Sequence, residues 1–245
     1  MNGTMNWKPL YRYALRDYLT GAAIVCAVLV AITVITMAVS GAHGDETVRF
    51  NGASMSIMVM MLVYGIVAPR PFLRLSAQFG VSRRTAFLGM NLAALTSTVL
   101  FAAVMELLAI LASLQKNFFW QEFYQMAYLR GAKSMTAGQH LTSVVLNVVL
   151  MAAMFFLGMF FTTLFWHLNR VGIGVAVAVM LLLVNGMPTL IVRTAVCRRT
   201  AAAFFRWIAG SAWNLTGAFA LMAVIGAVVS WLLIRTVNIK APAGK

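Results

Sequence analysis

The chain has 245 residues, of which 62% are apolar and only 10% charged, and its mean hydropathy is +0.89. An ordinary globular domain carries roughly a quarter charged residues, so this composition excludes the usual water-facing surface. Nineteen Lys and Arg stand against five carboxylates, giving a formal charge of +14. The basic residues flank long apolar runs, which is the pattern of membrane topology and of attraction to anionic headgroups, not of nucleic-acid binding.

In chain order, residues 1–20 mix Trp7, Tyr11, Tyr13 and Tyr18 with Lys8, Arg12 and Arg16 and read as an interfacial helix at the headgroups. Gly21 to Ser40 carries no charge and is long enough for a first span. Ala38-Val39-Ser40 would also suit a signal-peptide cleavage site, but the apolar run exceeds the usual signal core and further spans follow, so a retained helix is expected. After a polar loop over 41–52, spans are predicted at about 53–68, 85–114, 141–166, 172–192 and 208–234. The expected fold is an all-α membrane protein of about six transmembrane helices in a single domain, 1–245.

Counting basic residues in alternate connections places eleven with the two termini and eight on the other side. Both termini are therefore expected in the cytoplasm of a cell (plasma) membrane protein. Arg193, Arg198, Arg199 and Arg206 oppose that vote, because they gather between spans five and six on the expected outer side. Pro188 should break the outer end of span five, and Thr194 to Trp207 then reads as a re-entrant or interfacial hairpin.

The segment PRPFLRLSAQFGVSRR, Pro69 to Arg84, predicts a short amphipathic helix. Pro71 suits a first helical turn; Phe72, Leu75 and Phe79 share one face, and Arg74 and Gln78 another. Gly80 can take the left-handed conformation that ends a helix, and Ser82 can cap the next. Read by itself, the segment is more simply a basic interfacial loop obeying the positive-inside rule.

The order of interfacial helix, span, acidic loop, span and basic amphipathic segment ending Gly80-Val81-Ser82-Arg83-Arg84 resembles the membrane subunits of small type-2 ABC exporters of Gram-positive bacteria. The resemblance covers most of the chain as architecture plus this one local pattern. It implies a coupling helix between spans two and three that docks on a separate ATPase subunit, with Phe72, Arg74, Leu75, Gln78, Phe79, Gly80, Ser82, Arg83 and Arg84 at matching positions. It also implies short outer helices between spans five and six, a second permease copy or a homologous permease as partner, and membrane lipids around them. ATP and Mg would sit on the partner ATPase, and the cargo would be an antimicrobial peptide, lipid or drug.

Other polar residues are few. Glu106 is the only acid inside a predicted span, near its outer boundary, and no second intramembrane acid or His is expected beside it. A structural or pathway-lining role follows for Glu106, Asn147 and Asn185, with Arg198 and Arg199 as possible substrate contacts; headgroup anchoring is the plainer account of the arginines. The aromatics Phe118, Phe119, Trp120, Phe123, Tyr124 and Tyr128 suggest an external amphipathic helix lying on the membrane. Ala223, Gly226, Ala227 and Ser230 form a small-residue face on span six.

Two cysteines and three scattered histidines suggest no metal site. No phosphate-cradling G-x-x-x-x-G-K-[ST], H-E-x-x-H or G-x-S-x-G motif occurs, so the chain is not expected to be catalytic by itself. An ion-coupled secondary carrier using Glu106 and a non-transporting membrane sensor or scaffold are the alternatives.

Overall fold

The computed structural model of the protein describes residues 7–42, 48–113, 118–130, 134–169, 171–179, 181–182 and 195–236. In chain order the elements are α1 (Lys8–Ala42), β1 (Val48–Asn51), α2 (Ala53–Val67), α3 (Pro69–Gln78), α4 (Arg83–Ser113), β2 (Phe118–Gln121), α5 (Phe123–Tyr128), α6 (Ala137–His167), a helix over 171–179 (α7), α8 (Ala195–Gly210) and α9 (Ala212–Thr236). Among the described residues, four segments are long and apolar enough to cross a bilayer: Lys8–Thr36, Arg83–Ser113, Ala137–His167 and Ala212–Thr236. The pair α2 and α3, bent by 42°, counts as a fifth if it is one broken span. Exposed Ile24, Val28, Val59, Leu107, Leu221 and Val224 on these helices suit a surface bathed in hydrocarbon, so the fold fits a multi-pass membrane protein.

Several expectations need correction. Residues 8–20 are not a separate interfacial helix but the first turns of α1, which runs unbroken for 35 residues. Leu10, Ala14, Tyr18 and Ala22 recur every fourth residue and are buried, so this stretch packs into the bundle instead of lying apart. Tyr11 donates to Thr96 Oγ1 at 3.1 Å, joining α1 to α4. Gly21 admits the Tyr64 ring, where a Cβ would stand 1.6 Å from the hydroxyl.

The loops are not all helical. β1 and β2 form a parallel pair, with Val48 opposite Phe118 and Asn51 opposite Gln121. Leu10 lies against Gly89 near one end of the α1–α4 contact, and Thr33 lines a cavity with Leu111 near the other. The two helices are therefore parallel and deliver their following strands in the same direction, with α2, α3 and α4 as the crossover that parallel pairing requires. In place of an amphipathic helix lying on the membrane, the aromatic connection makes β2 and the six-residue α5, with Trp120 and Tyr124 buried.

Downstream, α8 is one helix, not a hairpin. Ser211 interrupts the chain before α9, so Ile208 belongs to α8 and the last span begins at Ala212. The expected fifth span, 172–192, is helical through 171–179 and at 181–182, and Asn185, Pro188 and Arg193 lie outside the described residues.

α6 is the centre of the bundle. It meets α2 where Gly65 and Gly158 oppose backbone: a Cβ on Gly65 would stand 2.1 Å from the Phe155 carbonyl, and one on Gly158 2.3 Å from that of Leu62. On its other side a Cβ on Gly226 of α9 would stand 3.4 Å from the Phe156 carbonyl oxygen, and Ala223 and Ser230 of the small-residue face are buried. Gly158→Ala should therefore cost roughly 1–3 kcal/mol by overpacking. Gly217→Ala, where nothing lies within 4 Å, should be neutral or slightly stabilising. Thermal unfolding of both variants in one detergent checks the contrast.

Candidate functional site

Two polar regions sit at opposite ends of α4. At its N-terminal end, α2 gives way to α3 at Ala68, where Pro69 and Pro71 supply no backbone N–H and the axis bends. Val81 N–H bonds to the Ser76 carbonyl at 2.9 Å and Gly80 N–H to that of Ala77 at 3.1 Å, with Gly80 at φ +66. This pair of bonds is a Schellman turn, the helix stop that a left-handed glycine allows. Ser82 Oγ then accepts from the Thr85 N–H at 3.2 Å and caps α4.

The buried face of α3 is Pro69, Phe72, Leu73 and Ser76. The turn at Gly80 carries Phe79 off the helix end, where it is 72% exposed, and Leu75 is half-buried. Arg74, Gln78, Gly80, Ser82 and Arg84 are exposed around it. Arg83 is occupied differently: its guanidinium donates to the carbonyls of Ile234 at 3.3 Å and Arg235 at 3.0 Å, so it closes the C-terminal end of α9. Arg70 stands 5.3 Å over the Trp166 ring, and His167 meets Thr236 Oγ1 at 2.9 Å. α3 and the start of α4 are thus fastened to the ends of α6 and α9.

At the far end of α4, Glu106 is not alone. His140 Nδ1 lies 2.6 Å from its Oε1, and Ser143 Oγ donates to its Oε2 at 2.8 Å. The expectation of an isolated acid fails because His140, outside the predicted span, lies in the first turn of α6, which begins before the apolar run. Glu122, absent from the sequence-based candidates, is wholly buried between β2 and α5. Its carboxylate accepts from Trp120 Nε1 at 2.7 Å and from Asn147 Nδ2 at 3.4 Å, and it forms a reciprocal capping box with Gln125.

His140, Ser143 and Asn147 fall at i, i+3 and i+7 and present one polar stripe of α6 to both carboxylates. That stripe, and the E-x-x-Q spacing of Glu122 to Gln125, were the signals in the sequence. Asn91 is buried on α4 with neither amide atom hydrogen-bonded, and Arg198 and Arg199 are exposed on α8.

Burial raises the Glu122 pKa and the Glu106 charge adds to the rise, while the polar groups of Trp120, Ser54 and Asn147 oppose it. An acid whose folded pKa lies above its unfolded value stabilises the fold below the unfolded pKa, and that stability is lost as pH rises through the folded one. Glu122→Gln should therefore flatten the decline of thermal stability as pH rises from acid toward neutral. Glu122→Ala, which leaves the Trp120 indole N–H and the Gln125 backbone N–H without the carboxylate that accepts from them, should cost about 2–4 kcal/mol at every pH. Melting curves across pH for the two variants separate the charge from the hydrogen bonds.

Neither a protein-family model, nor a curated protein, nor a solved structure matches this chain.

Proposed function

We propose that the chain is the permease subunit of an ABC exporter, moved by ATPase subunits on separate chains and paired with a second permease copy or a homologue. The observation that carries this reading is α3 itself. A ten-residue amphipathic helix is held at both ends, by the proline bend and by the Schellman turn, and buries one face while presenting Phe79 among Arg74, Gln78 and Arg84. An exposed aromatic ringed by polar and cationic groups has the character of an anchor for a partner protein.

A push on this ledge travels through the Ser82 cap into α4 and through Arg83 into α9. The ATPase would bind ATP and Mg, and its closure would tilt α2, α3 and α4 as a unit and alter access to a pathway between permease halves. The ledge then faces the cytoplasm, as do both termini, in a cell membrane. An antimicrobial peptide, lipid or drug is the cargo class proposed, with Arg198 and Arg199 of α8 available to it.

Phe79→Asp should abolish ATPase stimulation and transport in the complex while changing bundle stability by less than about 0.5 kcal/mol, as surface substitutions do. Arg83→Glu is a poorer probe, because it also removes the α9 cap. Normal ATPase association and transport in Phe79→Asp would sink the coupling role.

The cluster on Glu106 favours a second reading, an ion-coupled carrier, because the acid has a histidine and a second carboxylate for company. Transport that survives an ATPase-dead partner but fails in Glu106→Gln would select the carrier; the opposite pair of results selects the ABC permease.

A further inference from the structure

Beside the Glu106 cluster lies a cavity of about 280 Å³ walled by Ser113, Trp120, Gln125, Ser134, Met135 and His140. That volume is the share of roughly nine water molecules in the liquid, enough for a short alkyl chain with a polar head. Two of its walls are side chains that hold the two acids, His140 on Glu106 and Trp120 on Glu122, and a third, Gln125, accepts the Glu122 backbone N–H through its Oε1. Among the described residues His140 is the only basic side chain paired with either carboxylate.

Among the described residues, the side chains around the site are short of positive charge. Two carboxylates are buried behind one imidazole, and the Asn147 carbonyl oxygen, on the same α6 stripe and fully buried, receives no hydrogen bond. Buried acceptors without donors are costly, and buried anions call for a cation or a proton. Among the described residues no three of His, Cys, Asp and Glu are grouped to hold a metal ion, so the donor set favours an organic cation. The indole of Trp120 and the thioether of Met135 suit an alkylammonium, through the ring face and through soft apolar contact.

We propose that this cavity binds a primary ammonium group on a short alkyl stem, the chemistry of a lysine side chain or of a phosphatidylethanolamine headgroup, with Glu106 as its principal counter-ion. His140, which is partly exposed beside the cavity, yields the Glu106 oxygen to the incoming ammonium. Trp120, Ser113 and Ser134 line its stem and head, and Glu122 lies behind the Trp120 wall, bonded to its indole N–H.

The test uses the full chain in detergent with n-butylammonium and n-butanol as probes, read by isothermal titration. Saturable binding of butylammonium, with no competition by butanol, is expected. Glu106→Gln should weaken it about tenfold or more, the loss of one desolvated ionic contact. Ser134→Lys, which places its own ammonium at the cavity wall, should abolish it, and it decides the matter if Glu106→Gln fails to fold. Competition by a lysine-containing peptide but not its acetylated form assigns the amine to a peptide; competition by phosphatidylethanolamine over phosphatidylcholine assigns it to a lipid. Equal occupancy by butanol, or undiminished affinity in folded Glu106→Gln, overturns the proposal. No ATPase takes part, so this outcome is separate from that of the coupling experiment.

Discussion

The close crossing of α2 and α6 at Gly65 and Gly158 is the contact on which the arrangement depends. In hydrocarbon there is no hydrophobic gain from bringing two apolar helices together, so association rests on van der Waals packing, interhelical hydrogen bonds and lipid entropy. Two glycines facing backbone let the helices meet without intervening side chains, and the spacing leaves no room for a Cβ on either. Thr162 adds a hydrogen bond to the Ile66 carbonyl at 2.7 Å one turn further on. With α2 held against α6, the bend at Ala68 determines where α3 lies, and the opposite face of α6 is left for the small residues of α9.

Around this apolar centre the ionic chemistry is divided between the two ends. One end uses cations on carbonyls and aromatic faces: Arg83 on the α9 terminus and Arg70 over Trp166. The other buries acids under neutral donors, with His140 the one basic side chain paired to them among the described residues. α4 connects them, beginning at the Ser82 cap and reaching Glu106 roughly 35 Å later at 1.5 Å per residue. In the proposed permease this helix is the rod between the pushed ledge and the cluster, and the parallel β1–β2 pair fixes where the far end of that rod meets α1.

How much of this was legible depends on how local the cause is. The stop at Gly80 and the cap at Ser82 follow from backbone chemistry within five residues, and both are present. Which face of α3 turns inward was not legible, because periodicity groups Phe79 with Phe72 but does not reveal that the helix ends at Gln78. α1 was divided in two on polarity, although its arginines leave a four-residue stripe free to pack. Among the site residues, Glu106 and Asn147 were singled out but their partners were not: His140 is 34 positions from Glu106, and Glu122 is 25 from Asn147.

The sequence by itself determined that apolar stretches of bilayer length recur along the chain and that prolines, Gly80 and Ser82 punctuate them, because helix length, caps and breaks are set by neighbours within a turn or two. Only the tertiary structure decided that two separated loops pair as parallel strands, that Arg83 is spent on α9, and that two acids, a histidine and an asparagine share one buried site. Those outcomes depend on which helix faces pack together, and helix packing in hydrocarbon is decided by shape across the whole bundle.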